Sequence, residues 1–255
     1  MRHLLVAVFV AASVAAGQTH DTQNTDNLTT ISKHGEMYFY TPSAGAPTSQ
    51  AITIVNQYHG ISLTATGSIL NGWTYKDGTA GTINSVADNG GGTILITTAA
   101  NHNLAVGDYV TQTGFTTRTT YRGKYLVLTT PLATTYTVTR NFQVATDTGF
   151  FQRAWSLRAN AGSAGLYRVS FTMSAQADAP VTDFRFECNV NTTDLDNIAT
   201  QILFSSASRP ASMVGIGLVT IADGDVLYMS VKNITDGTDF KVWMANLSIN
   251  SIRRP

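Results

Sequence analysis

The 255-residue chain has one cysteine, Cys188, two glutamates, Glu36 and Glu187, and five histidines. A lone thiol excludes an internal disulfide and any zinc site built on several cysteines. Cys188 ends the strand-like stretch Asp183–Cys188, so its thiol is expected to be buried, and no partnered base marks it as a nucleophile. Without a disulfide staple the fold must rest on packing or on oligomerisation. His3, His20, His34, His59 and His102 share no metal-ligand spacing and read as loop or surface residues. Two glutamates leave little for paired-carboxylate chemistry, and the aspartates show no spacing that suggests it. No phosphate loop, nucleophile elbow or Ser-His-Asp pattern occurs. Gly215-Ile216-Gly217 lacks the third glycine and the strand–helix setting of a dinucleotide site. The expectation is a protein with no catalytic residues, no cofactor and no metal.

Charge is also scarce. Sixteen basic and sixteen acidic side chains make up 13% of the chain and cancel. No basic excess points to nucleic acid or a membrane surface. So thinly charged a surface suits a protein whose faces are covered in an assembly.

Threonine is plentiful, with 38 copies. Its β-branched side chain packs well on a pleated sheet, whereas the scarce Glu favours helices. Composition therefore tilts to β, and the pattern along the chain agrees. Glu36–Tyr40, Ala51–Val55, Ile61–Ala65, Thr82–Val86, Thr93–Thr97 and Thr135–Thr139 all read as strands, several with strict alternation. Longer β-rich stretches follow at Leu166–Met173, Met213–Ile221, Asp225–Val231 and Phe240–Ile252. After the amino terminus only about 192–200 hints at a helical period. Many short strands at this spacing predict a sandwich or barrel.

Residues 1–17 differ from the rest. Arg2 precedes the apolar run Leu4–Val14, which ends near Ala-Ala-Gly. Two readings stand: a cleaved secretory signal, or a retained apolar segment that docks into a neighbour through Leu4, Leu5, Val8 and Phe9. The run is short for a bilayer span. Residues 18–30 are polar and linker-like. Composition changes again near residue 80, and the Thr82–Val86 and Thr93–Thr97 strands flank Asp88-Asn89-Gly90-Gly91-Gly92 as a hairpin would. The expected domains are 1–30, an anchor or signal segment with linker; 31–80 plus 142–255, the main β domain; and 81–141, an inserted small β module.

Several residues invite a functional reading beside a plainer one. Trp73, Tyr75 and Trp155 would suit a sugar-binding platform if exposed, but aromatics more often fill β cores. Asp223 and Asp225 flank Gly224, which suggests a tight turn before it suggests calcium; Asp194 and Asp196 read as a polar loop. Sequons at Asn27, Asn191, Asn233 and Asn246 are what an Asn- and Thr-rich chain yields by chance.

The carboxy-terminal half carries an ordered set of family signals. Ala164-Gly165-Leu166-Tyr167-Arg168-Val169-Ser170 resembles a strand of the jelly-roll family that includes tumour necrosis factor and the complement globular heads. Ile221-Ala222-Asp223-Gly224-Asp225 with Val226–Val231 is similar to its "G-D" strand, and Val242–Ile252 to its closing strand. Residues 36–55 supply candidates for the opening strands. The inserted module resembles small β units of tailed-phage structural proteins at His102–Val110 and Tyr121–Val127. The resemblance implies an all-β jelly roll, a homotrimer, and a virion role as head fibre, capsid decoration or tail-associated subunit, contacting other virion proteins and a host-surface glycan or receptor. The competing expectation is a secreted lectin or complement-head-like recognition protein.

Overall fold

The computed structural model describes residues 33–41, 46–52, 55–143, 147–207 and 209–252. Leu4, Leu5, Val8 and Phe9 lie outside the described residues. Among the described residues, every regular element is a strand apart from one 3-10 turn at Thr119–Tyr121.

Two antiparallel sheets form a jelly-roll sandwich. The first holds β1 (His34–Tyr40), β2 (Thr48–Gln50), β4 (Gly67–Asn71), β13 (Gly165–Ala177), β16 (Ala211–Ile221) and β18 (Phe240–Ser251). Its order is β16-β13-β18-β1-β4, with β2 also on β18. The second holds β3 (Tyr58–Gly60), β5 (Trp73–Lys76), β12 (Ser156–Ala159), β14 (Thr182–Val190), β15 (Thr193–Phe204) and β17 (Val226–Asn233), in the order β15-β14-β17-β12-β5 with β3 on β17. Alternation along each strand sends one set of side chains inward. On β13 these are Tyr167, Val169, Phe171, Met173 and Ala175, all buried. They meet Phe184, Phe186 and Phe240, whose rings pack at 5.5–6.1 Å between centroids. The Cys188 thiol sits in this core, and burial pushes its pKa up, which keeps it protonated and unreactive.

The stretch 192–200 is strand β15, not helix. Its pairing with β14 from Thr182↔Phe204 to Val190↔Thr193, and the insertion of Ile198 into the core, override the weak helical period. Ile61–Ala65, expected as a strand, lies outside the regular ladders. Ile61 and Leu63 are nevertheless buried, and the Gln50 amide bonds both the N–H and the carbonyl of Ser62, standing in for a neighbouring strand.

Where β15 and β16 close one edge of the sandwich, Gly215 and Gly217 face inward. A Cβ on Gly215 would fall 2.2 Å from Phe171 Cε1, inside a filled core. Gly215→Val is expected to cost about 1–3 kcal/mol by overpacking, read as a lower urea midpoint at unchanged slope.

Between β5 and β12 the chain builds a closed six-stranded barrel: β6 (Thr79–Gly90), β7 (Thr93–Thr98), β8 (Tyr109–Thr113), β9 (Gly123–Leu132), β10 (Thr135–Thr139) and β11 (Gly149–Arg153), ordered β10-β7-β6-β11-β8-β9. Its strands begin at Thr79 and end at Arg153, beyond the 81–141 range expected from composition. Strand β11 closes the barrel by pairing with both β6 and β8. Inside lie Ile83, Ile94, Ile96, Val110, Phe115, Tyr121, Val127, Tyr136, Val138 and Phe151. The outgoing strand β12 pairs directly with the incoming β5, Ser156 opposite Lys76. The two ends of the insertion therefore meet, which is the geometry in which a loop of a β domain accepts a second module at small entropic cost.

Candidate assembly face and barrel junction

The two outer faces of the sandwich differ. That of the second sheet is partly covered by the barrel: Val226 and Tyr228 of β17 pack with Ala154 and with Tyr109 of β8. Among the described residues nothing covers the outer face of the first sheet in this way. Register places Val214, Thr172, Asn246 and Tyr38 in one row and Ile216, Ser170, Ser248, Glu36 and Ile69 in the next. Leu218, Arg168, Asn250 and His34 follow. Val214, Ile216 and Leu218 are 60%, 53% and 53% exposed, and Ile69 and Met244 are similarly open. Sequence alternation put apolar side chains on both faces of β16, so one set had to point outward. Besides the Tyr38 phenol, the ionisable side chains in these rows are Glu36, Arg168 and His34, and Glu36 accepts a hydrogen bond from the Asn246 amide. The middle of the face is small and flat: the Ser170 and Ser248 hydroxyls bond to each other at 3.2 Å. Tyr38, Tyr40, Met244 and Val214 rim a hollow of about 460 Å³ floored in part by Thr172 and Ser174.

Two charged clusters tie the barrel to the sandwich. In one, Asp108, just before β8, accepts from Lys76 of β5, from Arg153 Nη1 at 2.6 Å and from the Ala105 N–H at 2.9 Å. Arg153 also donates to the carbonyls of Asp77 and Asn103. Burial pushes the Asp108 carboxyl up, but these hydrogen bonds outweigh it and hold the group below the usual carboxylate range.

In the other, Lys124 of β9 donates to Asn189 and Asp194 of the sandwich. Glu187, fully buried on β14, lies 3.7 Å from both Lys124 Nζ and Arg185 Nε, outside hydrogen-bonding reach. Burial, only partly offset by the Tyr58 hydroxyl and Lys124, raises its pKa from 4.5 to about 7. A raised carboxyl pKa means that folding takes up a proton. The stability from this group is full below about pH 4.5 and is lost as pH rises through about 7. Glu187→Gln is therefore expected to raise the melting temperature at pH 8 while changing it little at pH 5. The gain at pH 8 is on the order of 3 kcal/mol. Parallel melting curves of the two proteins across pH 5–8 would refute this if they kept a constant offset.

The tryptophans named from sequence do not form a platform. Trp73 and Trp155 are buried in the sandwich core, Trp73 edge-on to Tyr167 at 5.4 Å, because both sit at inward positions beside the paired β5 and β12. Tyr75 alone of the three is open, at 42%. Asp223 accepts the backbone N–H groups of Gly162, Ser163 and Ala164, and Asp225 that of Ala222, so both carboxylates hold turns. Asp194 and Asp196 bind Lys124 and Arg185. Among the described residues no group of three or more His, Cys, Asp or Glu side chains is placed to hold a metal. His102 is buried, its Nε2 near the carbonyls of Leu132 and Thr135 and its Nδ1 accepting the Leu104 N–H, which fixes a loop across the barrel end. The sequon amides of Asn191, Asn233 and Asn246 are all engaged, with Asp225, Asp236 and Glu36 respectively.

No family model matches the chain, and no curated protein matches it. Some solved structures are similar to the chain at low identity. The PRD1 vertex protein P5 is 13% identical, with 69% of this chain and 97% of that one covered and a TM-score of 0.30. Eiger TNF from S. frugiperda is 13% identical over 71% and 96%, with a TM-score of 0.29. Murine APRIL is 11% identical over 57% and 99%, with a TM-score of 0.27. Similarity at this level says nothing of role. The all-β jelly roll rests on the strand order and core described above.

Proposed function

We propose that this protein is a non-catalytic structural subunit of a virus particle that assembles as a homotrimer through the outer face of its first sheet. The observation that supports the assembly is the bare, weakly charged face carrying Val214, Ile216, Leu218, Tyr38 and Met244. Five strands about 4.8 Å apart and roughly 35 Å long cover on the order of 800 Å², the share each partner gives to a standard interface. A second copy of the chain is the fitting occupant, since closed symmetry covers such a face on every copy at once. The count of three follows the jelly-roll resemblance. The barrel, held on the opposite sheet, stays clear of this interface and is free to project. The apolar amino-terminal segment would attach the trimer to the particle.

Light scattering of the full chain on a sizing column tests the assembly. A mass of three copies is expected, and a monomer at micromolar concentration would overturn the reading. The amino terminus of the native protein tests the location. A chain beginning near Gln18 would point to secretion in place of attachment.

A further inference from the structure

A cleft of about 540 Å³ opens where the barrel meets the sandwich, between the β8–β9 wall and the segment around Gln57 and Thr192. That volume falls in the range of roughly 300–1,000 Å³ typical of small-molecule sites. Both modules supply its walls, so it exists only because the barrel is docked. Three features define what would fit.

The first is the matching of charge. Arg122 turns its Nε, at 2.8 Å, and one terminal nitrogen to the Phe115 carbonyl. Lys124 is shared among Asn189, Asp194 and Glu187. Each cation at the rim is already committed within the protein, and Asp194 is committed to Lys124. A cationic ligand would have to take Asp194 from Lys124, and an anionic one would compete with Asp194 for Lys124 or with the Phe115 carbonyl for Arg122. The second is a lining of hydroxyl and amide groups, from Thr111, Thr113, Thr192 and Gln57. The third is an orphan acceptor: Gln57 Oε1 is buried and takes no hydrogen bond from the described residues. A buried carbonyl oxygen without a donor is costly, about 1–3 kcal/mol, so it marks a place where an outside O–H or N–H is wanted. The Tyr58 ring, held between the ammonium groups of Lys124 and Lys232 at 4.9 and 4.7 Å, adds a rigid apolar edge beside these polar groups.

We propose that this junction cleft binds a neutral saccharide, whose hydroxyls donate to Gln57 and exchange hydrogen bonds with the threonines while its C–H edge rests on Tyr58. The site lies within one protomer, so it stands or falls apart from the assembly reading.

Saturation-transfer NMR on the full chain tests it with two probe sets: neutral sugars (glucose, galactose, mannose, rhamnose, N-acetylglucosamine) and anionic ones (glucuronate, N-acetylneuraminate). At least one neutral sugar is expected to receive saturation and the anionic set none. The Gln57→Leu/Thr192→Val double variant should weaken binding of that sugar about tenfold or more. Gln57→Glu, which keeps an acceptor at the same reach, should retain it. Both positions are outside the sandwich and barrel cores, and an unchanged melting temperature checks the fold. No transfer to any neutral sugar overturns the proposal. So does transfer confined to the anionic set, or a neutral sugar bound equally well by the double variant.

Discussion

Ile216→Asp is expected to turn the proposed trimer into monomers. Ile216 stands in the middle of β16 with its side chain outward, flanked along the strand by Val214 and Leu218 and across the sheet by Ser170. In the monomer this position faces water, where a polar replacement changes stability by no more than about 0.5 kcal/mol. In the proposed trimer the same position is covered. Each copy then forfeits the burial of an isoleucine, about 1.5–3 kcal/mol, and carries an unpaired carboxylate into a dry interface at several kcal/mol more. The nearest cation in the rows above is Arg168, one row away on β13. Together these losses raise the dissociation constant by at least about a thousandfold, and light scattering at micromolar protein would read one copy. Leu203→Asp is the control. Leu203 is as exposed, at 58%, but belongs to β15 of the other sheet. It should leave the trimer whole. A trimer that survives Ile216→Asp, or one lost equally with Leu203→Asp, would show that the first sheet is not the interface.

The second large effect is on folding. Asp108→Ala removes the shared acceptor of Lys76 and Arg153, and leaves Arg153, which is mostly buried, without its carboxylate. Breaking a buried pair from one side costs about 3–5 kcal/mol, because the remaining charge has no water to return to. For a chain of this size that lowers the melting temperature by roughly 10 °C, at about 2–4 °C per kcal/mol. The effect should be largest in the barrel, since Asp108 is the group that joins the loop before β8 to β5 and β11. Adding Arg153→Met to Asp108→Ala should return part of the loss, as removing both members of a buried pair costs less than removing one. A melting temperature within a degree of wild type for the single variant would show that the triad does not lock the modules. Asp108 and Glu187 also pull pH dependence in opposite directions. The stability that the lowered Asp108 carboxyl gives is present at neutral pH and is lost as pH falls into the acid range, whereas the raised Glu187 carboxyl weakens the junction toward alkaline pH.

Much of the architecture was legible beforehand because β structure writes itself in alternation. The Leu166–Met173 pattern and the turn at Asp223-Gly224-Asp225 are local signals, and they correspond to β13 and to the turn before β17. The single cysteine was legible as a buried thiol for the same reason. The limits of the inserted module were less so. Strand β11 differs from the other barrel strands in composition, and it belongs to the barrel through hydrogen bonds to β6 and β8, which are more than thirty residues away. The helical hint at 192–200 gave way to the ladder with β14.

The candidate sites show the divide most clearly. Trp73, Tyr75 and Trp155 look alike in sequence, yet two are core and one is surface: Trp73 and Tyr75, two apart on β5, share a face of the strand, and Trp73 packs in the sandwich core while Tyr75 does not. Nothing in the order of residues brings Gln57, Arg122, Lys124 and Thr192 to one cleft, or Lys76, Asp108 and Arg153 to one ion cluster. The sequence alone determined that the chain is all-β, weakly charged and free of disulfides, since those follow from residue type and short-range period. Which apolar side chains stay uncovered, and which polar groups meet where barrel and sandwich touch, was decided by the tertiary structure. Both depend on long-range strand register, and one step of register exchanges every inward side chain for an outward one.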